Sequence, residues 1–221
     1  MFSLFQTLST LAVAAGVARA AFGPSFSTGA TSSGVYITSA TATLILPDAP
    51  TNNEGDLSLW VGMGTSDGDL IQSIADCYEC TDSSWSIFTY TLKETSPTSQ
   101  EVIQGESHSA VAGDEVTMLY TYSSSTTNYT QTLSLNGAVV STLSTNDGGA
   151  EGWGSAVECA AENCGSVPAH QWINAKIVLS AADPNYINTL YLSGGATGSM
   201  TTSDGGITWN IGTINIPAFT F

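Results

Sequence analysis

Two side chains in this chain of 221 residues have the types and surroundings needed for acid–base chemistry, namely Gln72 and Glu158. Gln72 lies among apolar residues in the segment DLIQSIADCYEC (69–80), and Glu158 lies in GSAVECAAENC (154–164). A glutamate titrates in the acid range and can take a proton from water. A glutamine amide does not titrate, so it can stabilise a developing oxyanion at any pH.

The two segments can present these side chains together only if both are strands, in which alternate residues share a face. The face that carries Gln72 would also carry Leu70, Ile74, Asp76 and Tyr78. The face that carries Glu158 would also carry Ala156, Ala160 and Glu162. Small alanine neighbours leave open space above a carboxylate, as expected for a residue on the floor of a cleft. We therefore predict that Gln72 and Glu158 face each other across one cleft.

Hydrophobic periodicity over most of the chain is two, and the segments are rich in Thr, Val, Ile and aromatic residues. The predicted strands are 34–46, 57–63, 69–79, 85–92, 115–122, 129–137, 154–164, 175–181, 187–194 and 207–216. Asn136-Gly137 predicts a tight hairpin turn, and the sequence offers at most a short helix near 181–186. The expected fold is all-β, a two-sheet antiparallel sandwich or jelly roll over residues 34–221, after a flexible N-terminus at 21–33.

Residues 1–20, MFSLFQTLSTLAVAAGVARA, form an apolar run that ends in Ala18-Arg19-Ala20. This pattern is typical of a signal peptide with its cleavage site, and the run is too short for a membrane span. We expect secretion to the extracellular medium.

The charge balance excludes whole classes of partner. Without residues 1–20, two bases stand against 19 acids, a net charge of −17. Nucleic acids and anionic membranes require basic surfaces, so neither is expected as a partner. The acidity fits a protein that works in an acidic medium, where protonation relieves repulsion between carboxylates. Solubility alone is an equally good explanation. We expect a monomer.

Four cysteines, Cys77, Cys80, Cys159 and Cys164, fit an oxidising compartment. Three pairings are possible, and proximity in sequence favours the local disulfides Cys77–Cys80 and Cys159–Cys164. The spacing also resembles a zinc site, which is the less favoured interpretation in a secreted chain. Asn128-Tyr129-Thr130 is a glycosylation sequon, so Asn128 is a candidate glycan site.

Sequence motifs for other chemistries are absent. The chain has no nucleotide-binding glycine loop, no H-E-x-x-H and no G-x-S-x-G, and its two histidines leave few options for a histidine-based triad. We expect no metal and no cofactor.

Several of these motifs resemble the glutamic peptidases, or eqolisins, of filamentous fungi, which are acid endopeptidases with a concanavalin-like double-sheet sandwich. WVGMG (60–64) is similar to the family's W-V-G-I-D-G, and LIQSIADC to its I-L-Q-T-G-V-D-F. VECAAEN (157–163) is similar to its A-E-W-I-V-E-D. The resemblance covers nearly all of the chain after the signal peptide.

The resemblance implies a mechanism and a set of site residues. Glu158 would activate water and then protonate the leaving amine, and Gln72 would hold the tetrahedral intermediate. Protein or peptide would be the substrate. Four further residues would bind it: Trp60, Asp76, Trp85 and Glu162.

The chain also departs from the family's pattern. It is two residues shorter between Trp60 and Gln72, and Gly64 replaces an Asp. The family's W-Y-E-W-Y-P-D segment becomes WSIFTYT, which keeps Trp85 but loses the acid and most of the aromatic residues.

A different class of function, polysaccharide binding or cleavage, is also compatible with a double-sheet sandwich. Exposed tryptophans on a sheet would suit sugar rings. Glu158 and Glu162 could be a glycosidase pair, but four residues of straight strand span about 13 Å, too far for the roughly 5–9.5 Å of such pairs. A carbohydrate-binding protein without catalysis is therefore the better form of this alternative. A structural protein of the secreted or cell-wall kind is the third hypothesis.

Overall fold

Strands account for most of the ordered backbone in the computed structural model of the protein, which describes residues 20–78, 80, 84–161 and 163–221. Except for Ala20, the predicted signal peptide lies outside the described residues. The strands are β1 (Ala21–Phe22), β2 (Ser25–Ser27), β3 (Ile37–Ile45), β4 (Asp56–Thr65), β5 (Leu70–Tyr78), β6 (Ser84–Ser96), β7 (Ser99–Gln104), β8 (His108–Val111), β9 (Glu115–Ser123), β10 (Asn128–Leu135), β11 (Ala138–Thr145), β12 (Ala150–Ala161), β13 (Ser166–Val167), β14 (His170–Leu179), β15 (Tyr191–Ser193), β16 (Thr208–Ile216) and β17 (Phe219–Thr220).

These strands form two main antiparallel sheets, which confirms the predicted sandwich. The first sheet has the order β15-β2-β12-β4-β5-β6-β7, with β1 also paired to β12 and β8 to β6. The second sheet has the order β11-β10-β9-β3-β14-β16. β13 and β17 form a small separate pair. The strand order places β4 between β12 and β5, so the two segments singled out in the sequence flank one central strand.

Residue alternation explains how the sheets pack. On β4, Leu57, Leu59, Val61 and Met63 point into the core shared with the second sheet. The intervening residue Trp60 points to the opposite face, where it belongs to a separate small apolar cluster. Both faces of the first sheet are therefore buried at its centre, which accounts for the nearly continuous apolar sequence of β4.

The predicted hairpin turn is confirmed, whereas the short helix expected near 181–186 lies at Tyr186–Thr189. Asn136 and Gly137 both have positive φ (50° and 83°) between β10 and β11, as the two-residue hairpin turn requires. The segment 187–194 was wrongly predicted as one strand: a 3-10 helix over Tyr186–Thr189 precedes the short β15. β7 and β8 were not predicted; β7 is exposed at nearly every position, so it shows no apolar alternation.

The segment 21–33 differs from the flexible N-terminus expected from its composition. β1 and β2 both pair with β12, and β2 also pairs with β15. Phe26 is fully buried and packs edge-on against Trp153, with ring centroids 6.1 Å apart. This contact is distant in sequence, so a reading of local composition cannot detect it.

Both predicted local disulfides are present, Cys77–Cys80 and Cys159–Cys164. The first spans the end of β5 and the second spans the end of β12, so each restrains a strand next to the predicted site. Their formation removes the zinc interpretation of these cysteines. Asn128 begins β10 and donates from Nδ2 to Ser144 Oγ at 3.3 Å; its glycosylation stays a prediction.

Within the described ranges, no helix has the length and apolar character needed to cross a membrane.

The buried position of Phe26 predicts that the N-terminal segment contributes to stability. Phe26→Ala should lower the free energy of unfolding by about 3–5 kcal/mol, because it leaves a cavity against Trp153. The matched control is Phe22→Ala, since Phe22 lies in the same segment but is 47% exposed. Denaturant unfolding of both variants checks this, and equal losses of stability would contradict it.

Candidate active site

A cleft of about 890 Å³ lies over the outer face of the first sheet. Strands β4, β5, β6 and β12 form it with the alternate residues that point away from the core. Its lining includes four of the predicted site residues, Gln72, Glu158, Trp60 and Asp76. The predicted sharing of one cleft by Gln72 and Glu158 therefore agrees with the fold, while their chemical roles stay predictions.

The other two predicted site residues do not join them. Trp85 was predicted to bind substrate, and this is wrong, because its side chain is buried in the core between the sheets. Its Nε1 donates to Pro47 O at 3.1 Å. The residues of β6 that reach the cleft point to the opposite face from Trp85, and they include Phe88 and Tyr90. Glu162 lies outside the described residues.

The strand register defines how the site is laid out. Gly62 on β4 pairs with Gln72 on one side and Gly154 on the other. Ser58, four residues earlier on β4, pairs with Asp76 and with Glu158. Gln72 and Glu158 thus lie on strands either side of β4 and on the same face, but they are offset diagonally rather than directly opposed.

Trp60 lies on β4 between those two rows and contacts the acid directly. Its Nε1 donates a hydrogen bond of 2.7 Å to Glu158 Oε2. This contact fixes the carboxyl group and leaves its other oxygen free of the indole. Ala156 and Ala160 flank Glu158 on its own strand face, as the sequence predicts, so no large side chain of β12 stands beside the carboxyl.

Burial raises the pKa of Glu158. The hydrogen bond from Trp60 opposes this shift, and the nearby charge of Asp56 adds to it. A carboxyl with a raised pKa is a stronger base once ionised and a proton donor in mildly acidic solution. Glu158 therefore has the properties of a group that takes up and returns a proton.

A second pair of carboxyls, Asp56 and Asp76, lines the same end of the cleft. Desolvation, together with the hydrogen bond and the charge of Asp56, raises the pKa of Asp76 to about 7. The hydrogen bond from Ser58 acts in the opposite direction and lowers this pKa. Ser58 Oγ donates to Asp76 Oδ1 at 2.8 Å. Asp56 Oδ1 is buried and has no hydrogen-bond donor among the described residues. A proton on Asp76 can supply that donor, in agreement with the raised pKa of Asp76.

Gln72 is only 5% exposed, and its Oε1 is buried without a hydrogen-bond partner among the described residues. An unpaired buried amide oxygen costs free energy, and such groups in native proteins are often functional. Gly62 is needed beside it: a Cβ there would lie 2.9 Å from Gln72 Cβ and 2.7 Å from Ile71 O. The glycine thus lets β4 approach β5 closely at the amide.

Tyr90, which sequence reasoning missed, faces the same acids from β6. It pairs with Gln72 in the register and lines the cleft. Desolvation raises the pKa of Tyr90, and the charges of Glu158, Asp56 and Asp76 raise it further. The phenol therefore keeps its proton and can donate to a bound ligand. Asp56 was also not predicted as a site residue, although it points to the same face of β4 as Ser58 and Trp60.

The walls of the cleft are largely apolar. Phe22 pairs with Glu158 and flanks it from β1. Ile74, Phe88 and Leu92 contribute the opposite side. Among the described residues, no set of three or more His, Cys, Asp or Glu side chains is placed to hold a metal ion.

No family model and no curated protein matches the chain. Among solved structures, it is similar to SCP-B, described as a member of the eqolisin family of peptidases in complex with the tripeptide Ala-Ile-His. The TM-score is 0.52 and the identity 16%, over 90% of this chain and 98% of SCP-B. It is also similar to scytalido-glutamic peptidase with a peptide-based transition-state analogue, with a TM-score of 0.49 and 16% identity over 86% and 97% of the two chains. The match to SCP-B shows that this chain has the fold of an eqolisin peptidase.

Proposed function

We propose that the protein is a secreted acid endopeptidase of the glutamic type. The observation that carries this proposal is that Glu158 and Gln72 line one cleft, with Glu158 half-buried and hydrogen-bonded by Trp60. The fold shared with SCP-B, which binds a tripeptide, supports a peptide as the ligand. Secretion is supported by the apolar N-terminal segment and by two disulfides.

In the proposed mechanism Glu158 is the general base. Its carboxylate takes a proton from a water molecule as the water oxygen bonds to the carbonyl carbon of the peptide. The carbonyl oxygen becomes an oxyanion, to which the Gln72 amide donates a hydrogen bond. The protonated Glu158 then returns the proton to the amide nitrogen as the C–N bond breaks, which releases an amine and a carboxylic acid.

A neutral amide suits the position of Gln72. A carboxylate there would repel the oxyanion, and the cleft already holds the acids Glu158, Asp56 and Asp76. The tyrosine hydroxyl of Tyr90 is a second uncharged donor in the same cleft. Substrate binding is assigned to Trp60, Asp76 and the apolar walls.

The carbohydrate-binding alternative loses its main support in the structure. It needs exposed tryptophans, but all five in the chain are buried: Trp60, Trp85, Trp153, Trp172 and Trp209.

Removal of the base should slow hydrolysis strongly. With an unfolded protein as substrate between pH 2 and 6, Glu158→Gln should lower kcat/KM by about 100- to 10,000-fold, the contribution typical of general acid–base groups. Gln72→Ala should lower it by about 100- to 1,000-fold, as loss of an oxyanion donor does. Glu106→Gln, on the exposed loop between β7 and β8, is the control and should be fully active. Hydrolysis by Glu158→Gln at the parent rate would refute the proposal.

Protonation of Asp76 predicts how stability changes with pH. Its pKa is about 7 in the folded protein against an ordinary value of 3.8, so the folded state binds a proton that the unfolded state has lost. The fold therefore loses stability as pH rises from about 4 to 7. Asp76→Asn keeps a donor for Asp56 without titrating, and it should raise the unfolding free energy at pH 7 by up to about 4 kcal/mol.

At pH 3 the same substitution should change stability little, because Asp76 is then protonated in both states. The control is Asp48→Asn on an exposed loop, which should have a small effect at both pH values. Thermal unfolding at pH 3 and pH 7 measures the difference. An equal effect of Asp76→Asn at the two pH values would contradict the raised pKa of Asp76.

A further inference from the structure

Two polar side chains of the second sheet reach across the core to the backbone that carries Gln72. They are Tyr120 on β9 and Gln131 on β10, which pair with each other in the register. Both are fully buried. Polar groups in a core are costly unless hydrogen-bonded, so the partners of these two indicate what they do.

Tyr120 bridges β4 and β5 next to the site. Its hydroxyl donates to Val61 O at 2.6 Å and accepts from Ser73 N at 2.8 Å. Val61 and Ser73 pair directly, and the next pair along the two strands is Gly62 with Gln72. The phenol therefore fixes the spacing of the two strands one residue away from the amide. Burial raises the pKa of Tyr120, so the hydroxyl keeps its proton.

Gln131 holds the backbone on the other side of Gln72. Its Nε2 donates to Tyr90 O at 2.9 Å, and its Oε1 accepts from Tyr90 N at 3.4 Å. Tyr90 is the residue of β6 that pairs with Gln72. Oε1 also accepts from Ser73 Oγ at 3.2 Å. The two side chains thus contact the strand of Gln72 and both strands beside it.

Backbone position determines where the Gln72 amide lies. Gly62 has no side chain to support the amide from β4, and Gln72 Oε1 has no hydrogen-bond partner among the described residues. A small change in the spacing of β4, β5 and β6 therefore moves the amide directly. Catalytic groups must be held to within a fraction of an ångström to be effective.

We propose that Tyr120 and Gln131 are positioning residues, which hold the backbone at Gln72 so that its amide meets the oxyanion. This inference rests on the proposed peptidase function. It adds a role for residues that touch neither substrate nor the reacting atoms.

Tyr129 provides a matched control. It is also fully buried, and its hydroxyl also joins two strands, donating to Ile37 O at 2.6 Å and accepting from Ala150 N at 2.9 Å. It does not line the cleft. Tyr120→Phe and Tyr129→Phe each remove one hydroxyl that donates to a backbone oxygen and accepts from a backbone N–H. The two variants should therefore have similar free energies of unfolding.

The kinetic test compares these two variants with the parent protein. Tyr120→Phe should lower kcat by about 10- to 100-fold, since a 1 Å misplacement can cost about 100-fold, with KM nearly unchanged. Tyr129→Phe should keep the parent kcat. Equal kcat values in the two variants would overturn the inference.

A second readout does not depend on activity. The side-chain amide signals of Gln72 in ¹⁵N NMR spectra should shift or broaden in Tyr120→Phe and stay unchanged in Tyr129→Phe. If the parent protein hydrolyses no peptide, the proposed function fails while the spectra still test the positioning. Unchanged Gln72 signals in Tyr120→Phe would overturn it. Should Tyr120→Phe not fold, Gln131→Met, which keeps size and loses the amide, replaces it with the same expectations.

Discussion

The structure depends on burying both faces of one sheet. On strands β4 and β5, every second side chain points into the core between the sheets. The alternate side chains line the cleft on the other face, and they include Trp60, Gln72 and Ile74. Side chains packed on both faces at the centre of the sheet keep water away from much of the polar surface there. Burial therefore raises the pKa of Glu158, and it makes the hydrogen bonds of Tyr120 and Gln131 costly to lose.

The acids of the cleft favour the folded state at low pH, whereas the proposed mechanism needs Glu158 ionised. Glu158 and Asp76 both hold protons more tightly than ordinary carboxyls do, because desolvation and neighbouring acids oppose their ionisation. Protonation lowers the repulsion among them, so the cleft is less strained in acid. The effect arises from the carboxyls of the cleft. The acidity of the chain as a whole is a separate property, which solubility alone would explain. His170 opposes the trend: burial lowers its pKa from 6.5 to about 4, so the unfolded state binds the proton first and stability falls as pH drops from 6.5 to about 4.

Alternation within one strand was enough to predict the faces of Gln72 and Glu158, and the family resemblance predicted the place of Trp60. Sequence reasoning failed where an answer depends on which strands pair. Trp85 was assigned to substrate binding through the resemblance to the family's W-Y-E-W-Y-P-D segment, whereas the burial pattern of β6 places it on the core face. Tyr90 and Asp56 join the site through the register of β4, β5 and β6, which no local pattern specifies.

A crystal structure of the protein with a peptide-based transition-state analogue, at about pH 4, is the most direct test. Glu158 and Gln72 are predicted to hold the analogue between them, with its tetrahedral hydroxyl about 3 Å from the Glu158 carboxyl and from Gln72 Nε2. Trp60 should keep its hydrogen bond to Glu158 in the complex. An analogue bound outside this cleft, or one that contacts Glu158 with Gln72 turned away, would contradict the assignment of these two residues as the catalytic pair.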